Sequence, residues 1–275
     1  MVFKKIVSLA AGLAVAFSLT ACGGDSSHNA GTEGGNTAKS AGDKFVVGFD
    51  ANFPPYGYKD ETTGEYTGFD LDLAAEVAKR NDWTLEKKPI DWDAKDMQLD
   101  SGLVDCLWNG FTMNGREDKY TWSKPYVDNS IVFVTRSADN LKEAAALEGK
   151  TVIVQADSSG LAALEDEANK DLLASFKALN KVPDYNNAFM SLEAGAADAV
   201  AVDIGVANYQ LETRKKGLFT IMEKPVQTEQ YGVGFKLGNE ALRDQVQNTL
   251  DEMITDGKFR ELAQKYGLEN AVITK

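Results

Sequence analysis

Histidine is almost missing from this 275-residue chain, and its one copy, His28, lies in a Gly/Ser/Asn-rich stretch where nothing apolar would hold it. The folded part therefore has no imidazole, which removes Ser-His and Cys-His nucleophilic pairs and histidine metal clusters. A carboxylate acid–base pair is the one enzymatic device the composition leaves open. Cysteine is nearly as scarce, with only Cys22 and Cys106. Beyond Cys22, Cys106 has no partner for an intramolecular disulfide. Its place in the apolar run Val104–Trp108 makes it a buried, inert thiol. Cations are also short, 29 against 42 Asp and Glu, for a formal net charge of −13. Such a surface does not fit nucleic acid, which needs clustered Lys and Arg. It does keep an exported protein soluble. After the N-terminal segment no second long apolar run occurs, so no membrane span is expected beyond it.

The N-terminal segment itself reads as targeting. Lys4 and Lys5 precede the apolar stretch Ile6–Leu19, which is short for a span. Leu19-Thr20-Ala21-Cys22 resembles a lipobox, implying a signal peptide over residues 1–21 and lipid attachment, palmitate included, at Cys22. The protein would then be held to the cell membrane by lipid alone, facing the extracellular side or the periplasm. Residues 22–43 are polar and Gly-rich, the composition of a flexible tether.

The remainder alternates short apolar runs with helical patterns, an α/β layout. Strands are expected at 45–49, 84–88, 104–108, 151–154 and 199–202. Helices are expected at 71–80, 94–101, around 139–148, 159–169, 187–194, 204–213, 239–255 and 258–266. Met97-x-Leu99-x-x-Gly102-x-x-Asp105 recurs as Met190-x-Leu192-x-x-Gly195-x-x-Asp198. The repeat suggests two similar lobes with mostly parallel sheets, built from 44–126 plus 232–275 and from 127–231. Crossings near Pro125–Ser130 and Glu229–Gly232 would form a two-strand hinge. Ligands in open parallel sheets bind beyond the carboxyl ends of strands. Asn109-Gly110 and Val202-Asp203, just after the two matched strands, are therefore candidates for opposite walls of one cleft.

Gly64-Glu-Tyr-Thr-Gly-Phe-Asp-Leu-Asp-Leu73 leads into a helix with Leu71, Leu73, Ala74, Ala75, Val77 and Ala78 on its apolar stripe and Asp70 placed as N-cap. This segment resembles the signature of polar-amino-acid-binding proteins of ABC transporters. Asp50-Ala-Asn-Phe53-Pro-Pro-Tyr56 is similar to that family's first-strand loop, and the resemblance spans about 44–270. It implies the type II periplasmic-binding-protein fold, an amino-acid ligand, ABC permease subunits as partners, a monomer, and no cofactor, metal or catalysis. By the same resemblance Phe53 and Trp92 clamp the ligand, and Gly110 and Thr112 meet its ammonium beside Asp203. Arg116 is the carboxylate partner, because its planar fork donates two parallel hydrogen bonds. Ser158 and Ser159 open a helix on the second lobe, where an anion is favoured. Asp50, Asn109 and Gln155 complete the expected ligand set, and Asp70 is either a cap or a specificity residue.

Two departures stand out. Thr112-Met-Asn-Gly-Arg116 is one residue shorter than the family's usual spacing. Asp157 stands where a Gly usually precedes the Ser pair, and would repel a carboxylate unless it turns outward. Two alternatives remain at this level: a cyclohexadienyl dehydratase-like lyase on the same fold, and a sensory ligand-binding protein.

Overall fold

The computed structural model describes residues 36–274; the signal segment, Cys22 and His28 lie outside that range. The chain opens with β1 (Lys44–Phe49), a small meander of β2 (Asn52–Phe53), β3 (Gly57–Lys59) and β4 (Tyr66–Thr67), and helix α1 (Phe69–Arg80). Then follow β5 (Thr84–Pro89), α2 (Lys95–Asp100), β6 (Cys106–Leu107) and β7 (Thr121–Trp122). The long β8 (Val127–Arg136) leads into β9 (Thr151–Gln155), α3 (Ser159–Glu165), α4 (Lys170–Ser175) and β10 (Ala178–Val182). Next come α5 (Tyr185–Glu193), β11 (Ala199–Asp203), α6 (Ile204–Thr213) and β12 (Phe219–Ile221). β13 (Gln227–Tyr231) runs back to β14 (Gly234–Phe235), α7 (Glu240–Asp256) and α8 (Lys258–Lys265).

Besides the three-stranded β2-β3-β4 meander, two larger sheets form among the described residues, ordered β5-β1-β6-β14-β7 and β10-β9-β11-β8-β12, with β13 also on β8. Each contains a parallel trio, β5-β1-β6 in one and β10-β9-β11 in the other. The remaining pairings are antiparallel. The sheets are thus mixed, since strands that cross between lobes return against the parallel trio. β8 and β13 pair from Ile131↔Gln227 to Val127↔Tyr231, forming a two-stranded ribbon between the lobes.

The internal repeat has a physical basis. Leu99 and Leu192 are buried at the ends of α2 and α5, while Met97 and Met190 are exposed. Gly102 and Gly195 turn the chain at φ +73 and +77, conformations that glycine adopts without strain. Asp105 then accepts the Val46 N–H at 2.6 Å, and Asp198 accepts the Thr151 N–H at 2.9 Å. Each carboxylate thereby fixes the register of β6 on β1 or of β11 on β9.

Several expectations shift. α1 begins at Phe69 with Gly68, not Asp70, at its N-cap and no side-chain cap. Gly68 has φ +136, and a Cβ there would collide with the Tyr56 carbonyl. The expected helix at 159–169 ends at Glu165, where Asp166 caps a separate 3-10 turn through the Ala168 N–H at 2.8 Å. The Ala-rich stretch near 139–148 forms only short 3-10 turns, Ser137–Asp139 and Ala144–Leu147.

Candidate functional site

The carboxyl ends of β1, β6, β9 and β11, together with the residues after β5, converge on one cleft. Its inner end is nearly closed, with about 10 Å³ left free, and is lined by Phe53, Trp92, Gly110, Thr112, Arg116 and Asp203, with Asn109, Phe111, Gln155, Ser158 and Ser159 around them. Ten of the expected ligand residues therefore meet in one cavity.

The first lobe supplies the aromatic floor. Phe53 stacks between Tyr56 (5.8 Å) and Tyr185 (5.9 Å), and Trp92 meets Phe111 edge-on at 5.3 Å. Gly110 has φ +57, and a Cβ there would stand 2.8 Å from Phe53 and 3.0 Å from Tyr231. Only glycine lets the backbone pass this close. Arg116 follows Gly115 at φ +74, and its own N–H closes a turn on the Met113 carbonyl at 2.9 Å. This tight Asn-Gly turn absorbs the shortened spacing and returns the guanidinium to the cavity, over the Phe111 ring at 5.3 Å.

Two expected residues lie elsewhere. Asp50 does not line the cavity. Its carboxylate accepts the Asn52 N–H at 2.8 Å and the Gln155 amide at 2.6 Å, tying the lobes together. Burial pushes its carboxyl up to about 6. Asp70 is fully buried behind the cavity wall and accepts the Gly110 N–H at 2.5 Å. Burial raises it to about 7. It holds the Gly110 loop from behind, so a contact with ligand, as a specificity residue would need, does not fit its position. Ser158 lines the cavity but its hydroxyl is occupied, donating to the Gln155 carbonyl at 2.8 Å and accepting the Leu161 N–H at 3.1 Å.

The second lobe and the hinge supply the acidic end. Asp203 is 2% exposed and starts α6, yet its side chain makes no capping bond. Its Oδ1 instead accepts the Tyr231 hydroxyl at 2.5 Å and the Asn129 amide at 2.7 Å. Burial, reinforced by the nearby Glu229 carboxylate, raises Asp203 to about 7. Glu229, Asn129 and Tyr231 were not foreseen as site residues. All three are buried on the hinge ribbon, where Glu229 stands directly opposite Asn129. Along this strand Thr228 and Gln230 point out and Glu229 and Tyr231 in, an alternation that the uniformly polar Gln227–Gln230 does not carry in its sequence.

Lys95 also went unforeseen. It is 1% exposed, lies over the Trp92 ring at 5.4 Å, and pairs across the cleft with Asp157. Asp157, at φ +55, turns its half-exposed carboxylate to this lysine. Burial pulls the Lys95 ammonium below its usual range. Asn186 to Asn52 at 3.1 Å and Tyr58 against Tyr209 at 5.6 Å add to the contacts joining the two sides. Among the described residues no His/Cys/Asp/Glu group is arranged to hold a metal. No helix among them is long and apolar enough to cross a membrane.

A sequence model of the bacterial extracellular solute-binding proteins, family 3, matches residues 45–269. The L-cystine-binding protein TcyA of Bacillus subtilis is 28% identical over 223 residues, covering 80% of each chain. The glutamine-binding protein GlnH of an ABC transporter in the same organism is 24% identical, covering 96% of this chain and 97% of its own. The structure of an ABC uptake transporter substrate-binding protein from Streptococcus pneumoniae with bound histidine superposes with TM-score 0.78 at 32% identity. It covers 83% of this chain and 94% of that one.

Proposed function

This chain belongs to the bacterial extracellular solute-binding proteins of family 3, and from that premise we propose that its cleft binds a polar α-amino acid for import through an ABC permease. One observation carries the reading: a single small cavity is lined by one guanidinium, Arg116, and one carboxylate, Asp203, together with the aromatic side chains Phe53, Trp92 and Phe111. A free α-amino acid carries the complementary charges on adjacent groups. In this reading Arg116 takes the α-carboxylate and Asp203 the α-ammonium. Phe53 and Trp92 cover the side chain, while Gly110, Thr112 and Ser159 complete the polar lining. Segments 44–126 with 232–275 and 127–231 act as the two bodies that open and close about the hinge. Anchoring through a lipidated Cys22, outside the membrane, rests on the sequence alone, as does a monomeric state. A tether over 22–43 would raise the effective concentration near the permease.

The test is a melting series on the purified protein with each amino acid in turn. A ligand at a hundredfold its Kd stabilises by about 2.7 kcal/mol. No shift with any amino acid, including cystine, would refute the reading.

A further inference from the structure

We propose that Glu229 is a positioning residue that fixes the hydroxyls of Thr112 and Ser159 as acceptors toward the cavity, so that this end of the cleft demands a protonated amine. The inference rests on the amino-acid reading above and assigns the hinge a part in recognition.

Glu229 is 3% exposed and sits on β13 with its carboxylate turned inward. Its Oε1 receives three donors: the Thr112 hydroxyl at 2.6 Å, the Asn129 amide at 2.8 Å and the Ser159 hydroxyl at 3.1 Å. A hydroxyl has a single proton to give. Once Thr112 and Ser159 have donated theirs to Glu229, only lone pairs remain for a ligand. Both side chains line the cavity, as does Asp203. Asp203 is organised by the same Asn129, whose amide nitrogen bridges Asp203 Oδ1 and Glu229 Oε1. The Asn129 Oδ1 is itself buried without a donor. Two hydroxyl oxygens and the Asp203 carboxylate thus present side-chain acceptors together in the cavity. An ammonium carries three N–H donors and no acceptor, which matches that count. A hydroxyl placed there can donate one proton and leaves the other acceptors unmet, and an ionised carboxylate can donate none.

Thr112 belongs to the loop after β6 in the first lobe and Ser159 to α3 in the second. Glu229 on the hinge reaches both, so the acceptor polarity is assembled only when the lobes come together. Without the carboxylate, either hydroxyl is free to rotate and donate into the cavity, and discrimination against a non-ammonium group weakens.

The test compares paired probes by calorimetry at pH 8.5: L-histidine with imidazole-lactate, and L-arginine with its 2-hydroxy analogue. Each analogue replaces only the α-ammonium by a hydroxyl. In wild type the amino acid should bind far more tightly than its analogue. In Glu229→Gln that ratio should fall by about tenfold or more, because a hydroxyl partner is again acceptable. A purely structural role would weaken both members of a pair equally and leave the ratio unchanged, which would overturn the proposal. Thr112→Val supplies a second measurement independent of the folding of Glu229→Gln. It should lower the ratio in the same direction, and an unchanged ratio there would equally count against the role. Wild type that binds other amino acids but ignores these pairs is tested with its own ligand and the matching hydroxy acid. Failure of wild type to bind any amino acid would overturn the amino-acid reading and this inference together; binding with unchanged ratios would overturn only the role of Glu229.

Discussion

Ligand affinity should depend on pH through Asp203. The carboxyl is 2% exposed and raised to about 7, first by burial and then by Glu229. Tyr231 and Asn129 are its bonded neighbours, and Arg116 lines the same cavity. An ammonium ligand requires the ionised form. With a free-state value of about 7, affinity relative to its alkaline limit falls about twofold at pH 7 and about a hundredfold at pH 5. Binding at pH 7 should release about half a proton, approaching one near pH 5.5 and none near pH 8.5. Calorimetry of arginine or glutamine, which do not titrate between pH 5 and 8, in buffers of differing ionisation enthalpy measures that release directly. Stability of the free protein carries the same signature with a definite sign. Because the folded value lies above the unfolded 3.8, the folded state holds the extra proton, and stability falls as pH rises through the window from about 4 to about 7. Asp50 and Asp70, raised to about 6 and about 7, act on stability in the same direction. They do not face the cavity, so Asp203→Asn should abolish the proton release while leaving part of the stability trend. Affinity that is flat from pH 5 to 8, or proton release that survives in Asp203→Asn, would refute the reasoning.

Gly205→Ala should hold the cleft open, since a Cβ there would collide with the Tyr56 hydroxyl across the interface. Weaker ligand binding with an unchanged melting point of the free protein, and a larger radius of gyration by scattering, are the expected readouts. Lys95→Met keeps the buried stem but removes the ion pair to Asp157, and stopped-flow release of ligand should accelerate several-fold, about 1 kcal/mol. Asp157→Gly also loses the pair, yet it relieves about 1 kcal/mol of left-handed strain at φ +55. Its free form should therefore melt no lower than wild type while its ligand leaves faster. Arg116→Lys should cost roughly tenfold or more in affinity, because a point charge replaces a planar fork at the carboxylate; equal affinity would remove Arg116 from that role.

The helix at 69–80 and the repeat were legible because each rests on local rules. Leu71, Ala74, Val77 and Ala78 follow helical spacing and are all buried. The repeat encodes a complete device of buried leucine, turning glycine and strand-fixing aspartate within nine residues. Boundaries failed where a tertiary contact outweighed the local signal. Asp70 had a cap's chemistry, but the Gly110 N–H on another loop claimed its carboxylate. The alanines near 144 had helix propensity, but they form a single 3-10 turn that buries Leu147 and packs Ala144 on the core.

The acidic end of the site was legible only in part, and for a different reason. Asp203 announced itself by ending an apolar run, since a charge after Ala199–Val202 demands an explanation. Glu229 gave no such contrast: Gln227-Thr-Glu-Gln230 is polar throughout, so composition does not say which side chain turns inward. Only the register of β13 against β8, Glu229 opposite Asn129, turns this one carboxylate into the cleft. Register is a property of the pairing and not of either strand, and a one-residue slip would send Glu229 to solvent and bring Gln230 inward. The hinge ribbon therefore does two things with one set of backbone bonds. It joins the two lobes, and by its pairing it decides which acid stands behind Thr112 and Ser159. A change that shifts that register while leaving both sheets intact should alter ligand preference without touching any residue of the cavity wall.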